Sequence, residues 1–266
     1  MSGMDIEAIT PGVLVLTAIE PVDGRVSWVP EGARGFEPYN VFLLLAEDRA
    51  LLIDTGVAKH GPGLVATLRD LLGARRLTVF VTRIELDTLG NLAAVLAAFP
   101  DAALATANPI EPNRLVHMPP GAVWRGGPVT HIRLGSDLAP LGFADVVALD
   151  PVMRTLGTSW PYDRASRTLF TSDSFCGEML ETADTPVIRR DDLAGLPEMP
   201  ALRAHLRAKF QWLAEAEGGT LAAHWDRLFG TITPYAIAPL HGRVLAGDAL
   251  VGAMLPRYCA AMLSQG

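Results

Sequence analysis

Two carboxylates lie two residues apart in a polar stretch of the chain that follows an apolar run. Glu85 and Asp87 belong to the segment TRIELDTLGN, which comes directly after LTVFV. In an extended segment, alternate residues project to the same side, so both carboxylates face one way. Like charges at this spacing repel each other unless a cation lies between them. The spacing therefore predicts a cation site. The alternative is a helix start, in which Asp87, Thr88 or Asn91 caps the next helix and Glu85 is a solvated loop charge.

Three further strands are predicted to end in a residue that can bind a metal ion or move a proton. The segment LLID ends in Asp54, TLFTSD ends in Asp173, and AIAPLH ends in His241. In α/β proteins, sites form at the carboxyl ends of strands because backbone groups and helix N-termini converge there. Asp54 has an alternative interpretation as a turn aspartate ahead of Gly56.

Strands and helices alternate along the chain, which predicts an α/β fold. Strands are expected between residues 12 and 54, up to residue 81, at 102–106, in short pieces up to residue 170 and at 235–239. Helices are expected at 64–72, from residue 91, within 200–229 and at the C-terminus. No repeat, low-complexity block or Pro/Gly-rich linker divides the sequence, so residues 1–266 are expected to form a single domain.

The composition argues against several classes of protein. The net charge is −7 and no cluster of Lys and Arg resembles a nucleic-acid footprint, so no nucleic-acid partner is expected. Every apolar run is well below the roughly 20 residues of a membrane span, so no membrane association is expected. The N-terminus carries Asp5 and Glu7 and lacks the basic-then-apolar order of a secretory signal, which predicts a cytoplasmic protein. The two cysteines form neither a disulfide framework nor a zinc-finger spacing.

The order of the strand-end residues resembles the metallo-β-lactamase fold. The resemblance is carried by LLIDTG at residues 51–56, by the stretch from Asp87 to Asn91, and by PLHG at residues 239–242. Glu85 takes the place of the family's second histidine, which is similar to the flavodiiron proteins and the stand-alone oxygen-binding diiron proteins. The segments SWP and LFTSDSF are similar to segments of the same group. The resemblance implies an αββα sandwich with two mixed β-sheets covered by helices.

The resemblance also implies a set of metal ligands, of which this chain has only a part. The matching positions hold Glu85, Asp87, Asp173 and His241. Three positions where the family generally has histidine hold Arg83, Thr88 and Ser159. Arginine keeps its proton in proteins and offers no lone pair to a metal. The first metal position is therefore not expected to be built in the family's way.

Two accounts of the acidic cluster remain open. In one, Arg83 takes the place of the first metal, and a single Fe, Mn or Zn ion is held at the second position by Asp87, Asp173, His241 and water. In the other, no metal binds and Arg83 satisfies the acids in an ion-pair network. Arg83 could instead bind an anionic group of a small substrate. The candidate catalytic residues are Asp87, Arg83 and Asp54.

Three functions follow from these accounts. The first is a metal-dependent oxidoreductase resembling the diiron domain of flavodiiron proteins. The second is a single-metal hydrolase in which Asp87 is the base that activates a metal-bound water. The third is a metal-free member of the fold that works as a binding or scaffold protein. Fewer than 30 residues follow His241, so no flavodoxin domain and no FMN are expected in this chain, and electrons would come from a donor protein. The resemblance implies a homodimer.

The other histidines are weaker candidates. His60 is expected near the rim of the site. The remaining four are expected at the surface, because histidine is commonly part-exposed; they are His117, His131, His205 and His224.

Overall fold

The computed structural model of the chain describes residues 4–22, 29, 32–110, 129–153 and 157–264. Two compact units make up the chain. The first comprises Met1–Ala18 and Tyr39–Ser166, and the second comprises Ile19–Pro38 and Arg167–Gly266. The single domain expected from the sequence stays a prediction.

Over the described ranges, the strands form two mixed sheets of seven strands each. The first sheet follows chain order: β1 (Asp5–Thr10), β2 (Val13–Pro21), β3 (Phe36–Leu45), β4 (Arg49–Ile53), β5 (Arg76–Val81), β6 (Ala103–Thr106) and β7 (Val129–His131). The other strands are β8 (Asp137–Leu138), β9 (Phe143–Leu149), β10 (Trp160–Asp163), β11 (Thr168–Phe170), β12 (Ile188–Arg190), β13 (Ala236–Ala238) and β14 (Val244–Ala246). The helices are α1 (Gly61–Leu72), α2 (Leu86–Leu89), α3 (Leu92–Ala98), α4 (Met199–Lys209), α5 (Gly218–Phe229) and α6 (Asp248–Leu263). The α/β class with two mixed sheets is confirmed. None of the helices in the described part of the chain is long and apolar enough to cross a membrane.

In the first unit, β4 and β5 are largely apolar because each lies between two neighbouring strands and is covered on both faces. They pair in parallel, with Ile53 opposite Phe80. Helix α1 makes the crossover between them and buries a stripe of Leu64, Leu68 and Leu72. Parallel strands end at the same edge of a sheet. The residues that follow β4 and β5 therefore lie side by side.

In the second unit, β11 and β13 repeat this arrangement. They also pair in parallel, with Phe170 opposite Ala238. Asp173 lies three residues beyond Phe170, and His241 lies three residues beyond Ala238. The register of one strand pair thus carries Asp173 and His241 to matching positions beyond the sheet.

Candidate functional site

Asp54 is the first residue after β4, and its carboxylate faces Thr82 at the end of β5. The Thr82 backbone N–H donates to Oδ1 at 2.8 Å, and the Thr82 hydroxyl donates to Oδ2 at 2.7 Å. Asp54 has a positive φ of 61°, a region that aspartate tolerates better than most residues. Burial raises the pKa of Asp54 to about 7, although the two hydrogen bonds from Thr82 and the charge of Arg83 oppose this effect. The turn after β4 therefore holds a carboxyl group that resists ionisation.

Glu85 and Asp87 both form ion pairs with one cation, the Arg83 guanidinium. Arg83 follows β5 and is only 3% exposed. Its Nη2 nitrogen donates to Asp87 and lies 3.3 Å from the Glu85 Oε2 oxygen. Asp87 is one helical turn beyond Arg83, in α2, so both partners come from the same short loop. The account in which Arg83 forms an ion-pair network with these acids matches the geometry of this unit.

Thr88 and Ser159 stand at two positions where the resemblance implies histidine, and the hydroxyls of both donate hydrogen bonds to backbone carbonyl oxygens. The Thr88 hydroxyl donates to the carbonyl oxygen of Arg83 at 2.7 Å or of Glu85 at 2.8 Å. Ser159 donates to the Thr82 carbonyl oxygen from its backbone N–H at 2.9 Å and from its hydroxyl at 3.3 Å. These side chains hold the loop around Arg83 in place.

Asn91 links this loop to the turn after β4 by hydrogen bonds. Its side-chain amide donates to the carbonyl oxygens of Thr55 and Val57, each at 2.7 Å. Asn91 does occupy the N-cap position of α3, as the helix-cap alternative expected, but its side chain makes no cap hydrogen bond. Gly90 is needed beside it, since a Cβ atom there would lie 2.5 Å from the Leu86 carbonyl oxygen and 2.7 Å from the Ala58 nitrogen. Thr88, Gly90 and Asn91, which follow Asp87 in the motif, thus have structural roles in this loop.

In the second unit, Asp173 lies in a turn with two left-handed residues. Ser172 has a φ of 51° and Phe175 a φ of 65°, which is unusual for a bulky side chain. The Leu240 N–H donates to the Ser172 carbonyl oxygen at 2.6 Å, which joins this turn to the segment that carries His241. Asp173 and His241 are 4% and 0% exposed. The structure therefore buries both predicted residues, on two segments that this backbone hydrogen bond joins.

Lys209, which the sequence patterns did not single out, pairs with Asp173 in the second unit. Its Nζ nitrogen lies 3.7 Å from the Asp173 Oδ2 oxygen, and both side chains are 6% exposed. Lys209 ends α4, whose buried face also carries Leu202, His205 and Leu206. The signal was present in the sequence, because these four residues recur at the i, i+3, i+4, i+7 spacing of a helix face.

The prediction that His205 lies at the surface is wrong. His205 is 5% exposed because it lies on the buried face of α4. Burial lowers its pKa to about 4, and the nearby charges of Lys209 and His241 add to this effect. His131 is exposed and His224 and His60 are half-buried, while His117 lies outside the described residues.

The residues present do not fit a pair of metal ions. Arg83 pairs with Glu85 and Asp87 in the first unit, and Lys209 pairs with Asp173 in the second. Across the described ranges, no group of three or more His, Cys, Asp and Glu side chains is arranged to hold a metal ion. The assignment of Glu85, Asp87, Asp173 and His241 as metal ligands stays a prediction, as do the catalytic roles of Asp54, Arg83 and Asp87.

No protein-family model matches the sequence, and no curated protein matches it. Several solved structures match the chain. Rubredoxin oxygen:oxidoreductase from Desulfovibrio gigas has a TM-score of 0.68 at 18% identity, over 96% of this chain and 61% of that one. A metal-soaked Flv1 flavodiiron core from Synechocystis has a TM-score of 0.74 at 19% identity, over 98% and 61%.

The chain thus spans about three fifths of the length of these two proteins. A metallo-β-lactamase from Pontibacter korlensis has a TM-score of 0.58 at 14% identity, over 98% of this chain and 99% of that one. At these identities the similarity shows the fold. The chain has the metallo-β-lactamase-like fold, in a form close to that of flavodiiron core domains.

Proposed function

We propose that this chain is a metal-independent protein with the metallo-β-lactamase-like fold that works as a binding protein rather than as a diiron oxidoreductase. One observation carries the proposal: the buried Arg83 guanidinium pairs with both carboxylates of the loop in which the resemblance implies metal ligands.

The physical chemistry of arginine supports this proposal. Its side chain stays protonated at every pH at which a protein folds, so it repels a metal ion at all times. A metal that took Glu85 and Asp87 from Arg83 would leave the guanidinium buried without its ion pairs. Breaking a buried ion pair in this way costs about 3–5 kcal/mol. Metal binding at this loop therefore works against the stability of the fold.

Metal content tests the proposal most directly. The protein is produced without a metal-affinity tag in medium that contains iron, manganese and zinc, and metal per chain is measured by plasma mass spectrometry. We expect far less than one equivalent of each metal, and a melting temperature that does not change with EDTA. About one equivalent of metal per chain, or a melting temperature that falls with EDTA, would contradict metal independence.

Replacing Arg83 by histidine tests the role of the guanidinium. Arg83→His removes the fixed charge and supplies an imidazole at a position where the family has one. We therefore expect metal uptake to rise above that of the wild type. Arg69→His, on the exposed face of α1, is the matched control and should leave metal content unchanged. Equal metal content in Arg83→His and the control would show that Arg83 does not block the site.

A single-metal enzyme is the second candidate. The parallel pairing of β11 with β13 supports it, because Asp173 and His241 each follow one of these strands by three residues. An oxidoreductase would hold iron and absorb visible light, whereas a hydrolase would hold zinc and cleave an ester or lactam. Either enzyme should lose its metal in His241→Ala. Metal bound at full occupancy in that variant would remove His241 from the ligand set.

Other expectations come from the sequence or from the resemblance and stay proposals. We propose a homodimer, tested by size-exclusion chromatography with light scattering, and a cytoplasmic location, tested by fractionation. An oxidoreductase would take its electrons from a donor protein. A small anionic ligand of Arg83 would have to compete with Glu85 and Asp87, which already pair with it.

A further inference from the structure

Two arginines and one glutamate form a cluster in the second unit that the candidate site does not include. Arg189 lies in β12, and Arg243 comes directly before β14, which pairs in parallel with β12. Glu178 lies on the segment between β11 and β12, and its carbonyl oxygen accepts a hydrogen bond from the Arg243 N–H at 2.9 Å. Strand pairing and this backbone hydrogen bond therefore hold the three residues next to one another.

The two guanidinium groups share one carboxylate oxygen. The Nη1 nitrogen of Arg189 donates to the Glu178 Oε1 oxygen at 2.6 Å, and the Nη1 nitrogen of Arg243 donates to the same oxygen at 3.1 Å. Arg189 also donates to the carbonyl oxygens of Asp192 and Ala194. The Asp192 carboxylate lies 3.7 Å from Arg189 and is 61% exposed, so solvent screens that pair. One mostly buried carboxylate therefore faces two guanidinium charges.

Arg243 has a hydrogen-bond donor that the fold does not use. Its Nε nitrogen is buried and has no hydrogen-bond partner among the residues that the structure describes. Most buried donors have such a partner, so each exception needs an explanation. In a guanidinium, the Nε–H and an Nη–H beside it point the same way and match two oxygens of a carboxylate or phosphate. The Arg243 side chain is 16% exposed and that of Arg189 is 5% exposed, so Arg243 is the one of the two that a solute reaches more readily.

We propose that Arg243 binds a small oxyanion, a carboxylate or a phosphate, through its Nε and one Nη nitrogen while Nη1 stays on Glu178. The added negative charge balances the second guanidinium, which the single carboxylate of Glu178 does not do alone. Binding requires a small rotation of the flexible Arg243 side chain, because Nε itself is buried. The inference rests on the proposed function, because it names the class of ligand that the binding protein takes.

Titration of the full chain with acetate and with inorganic phosphate tests this proposal. Binding is measured by calorimetry and by the melting temperature, in EDTA and at constant ionic strength, with chloride as the reference anion. We expect at least one of the two anions to bind saturably, at about one per chain, and to raise the melting temperature. Binding of acetate identifies a carboxylate ligand, and binding of phosphate identifies a phosphate ligand. A wild type that binds neither anion better than chloride would overturn the proposal, because Glu178 alone would then satisfy Arg243.

Variants of Arg243 locate the binding site. Arg243→Gln removes the guanidinium and leaves Glu178 paired with Arg189, so we expect a folded protein that binds the anion at least about tenfold more weakly. Arg257→Gln, which removes an exposed arginine from α6 of the same unit, is the matched control and should bind as the wild type does. Arg243→Lys keeps the charge without the pair of parallel donors and should also bind more weakly. This variant remains the test if Arg243→Gln folds poorly, and wild-type affinity in either Arg243 variant would overturn the assignment.

The outcome is separable from that of the proposed function. Metal in the purified wild type contradicts metal independence, whatever the anion titrations give. A metal-free wild type that binds neither acetate nor phosphate leaves metal independence standing and rejects this inference alone.

Discussion

Asp54 shows how the burial of a single side chain changes its chemistry. Both of its carboxylate oxygens face Thr82, and no lysine or arginine forms an ion pair with it among the residues that the structure describes. Its pKa of about 7 lies above the ordinary value of 3.8. The folded protein therefore holds a proton that the unfolded chain has already released between these two pH values.

This difference predicts how stability depends on pH. The contribution of Asp54 is complete below about pH 4 and is lost as the pH rises through about 7, by up to roughly 4 kcal/mol. Asp54→Asn keeps an uncharged group that accepts from the Thr82 N–H and tolerates a positive φ. We expect this variant to remove that part of the pH dependence when the free energy of unfolding is measured by urea titration at pH 5 and pH 8. Asp101→Asn, at an exposed position, is the control, and an unchanged slope in Asp54→Asn would contradict the assignment.

Among the elements, the short segment between β5 and α3 depends on the absence of a side chain at Gly90. Gly90 passes within reach of three backbone atoms, and a Cβ atom would lie 2.5 to 2.8 Å from them. Backbone atoms cannot rotate away, so the loop would have to shift. The loop carries Arg83, Glu85 and Asp87, and a shift would disturb their ion pairs.

We therefore expect Gly90→Ala to lower the free energy of unfolding by about 2–3 kcal/mol. Gly252 lies inside α6, where an added methyl group would meet no atom within 4 Å, so Gly252→Ala is the matched control. The control should be neutral or more stable by up to about 1 kcal/mol, because alanine favours helix more than glycine does. Urea titration of both variants measures the difference. Equal stabilities would mean that the loop has room at residue 90.

Helix α6 supports the turn that carries Asp173. The Tyr258 hydroxyl accepts a hydrogen bond from the Phe175 N–H at 2.9 Å, and the two rings stack with centroids 4.1 Å apart. Phe175 has the left-handed backbone of this turn. Tyr258→Phe keeps the ring but removes the acceptor, so we expect a loss of about 1–3 kcal/mol in unfolding free energy. Tyr235→Phe, at a half-buried tyrosine of the same unit, is the control. A loss no larger than that of the control would show that stacking alone supports the turn.

For the whole molecule, the strands and most of the helices were predictable because apolar runs and turn residues mark them locally. The strand ends that carry Asp54, Asp173 and His241 followed from the same runs. Lys209 was not predicted as a partner of Asp173, because their pairing depends on how α4 packs, and the local sequence of α4 is that of an ordinary amphipathic helix. The pairing of Arg83 was predictable because Glu85 and Asp87 lie in the same loop.

The division into two units raises the question of whether they unfold together. The chain passes between the units three times, and two of the boundaries fall inside strands β2 and β3. Each of these two strands runs from one unit into the other. Unfolding of one unit would therefore disorder part of a strand that continues in the other unit. We therefore expect one cooperative transition for the whole chain, in agreement with the single-domain prediction.

Tryptophan fluorescence can follow each unit separately. Trp160 is buried in the first unit and Trp225 in the second. Variants that keep only one of these residues, with the other tryptophans changed to phenylalanine, should unfold at the same urea concentration. Calorimetry of the wild type is the independent check, because a single transition requires the calorimetric and van't Hoff enthalpies to agree. Separate midpoints for the two variants, together with a van't Hoff enthalpy well below the calorimetric value, would show that the chain folds as two domains.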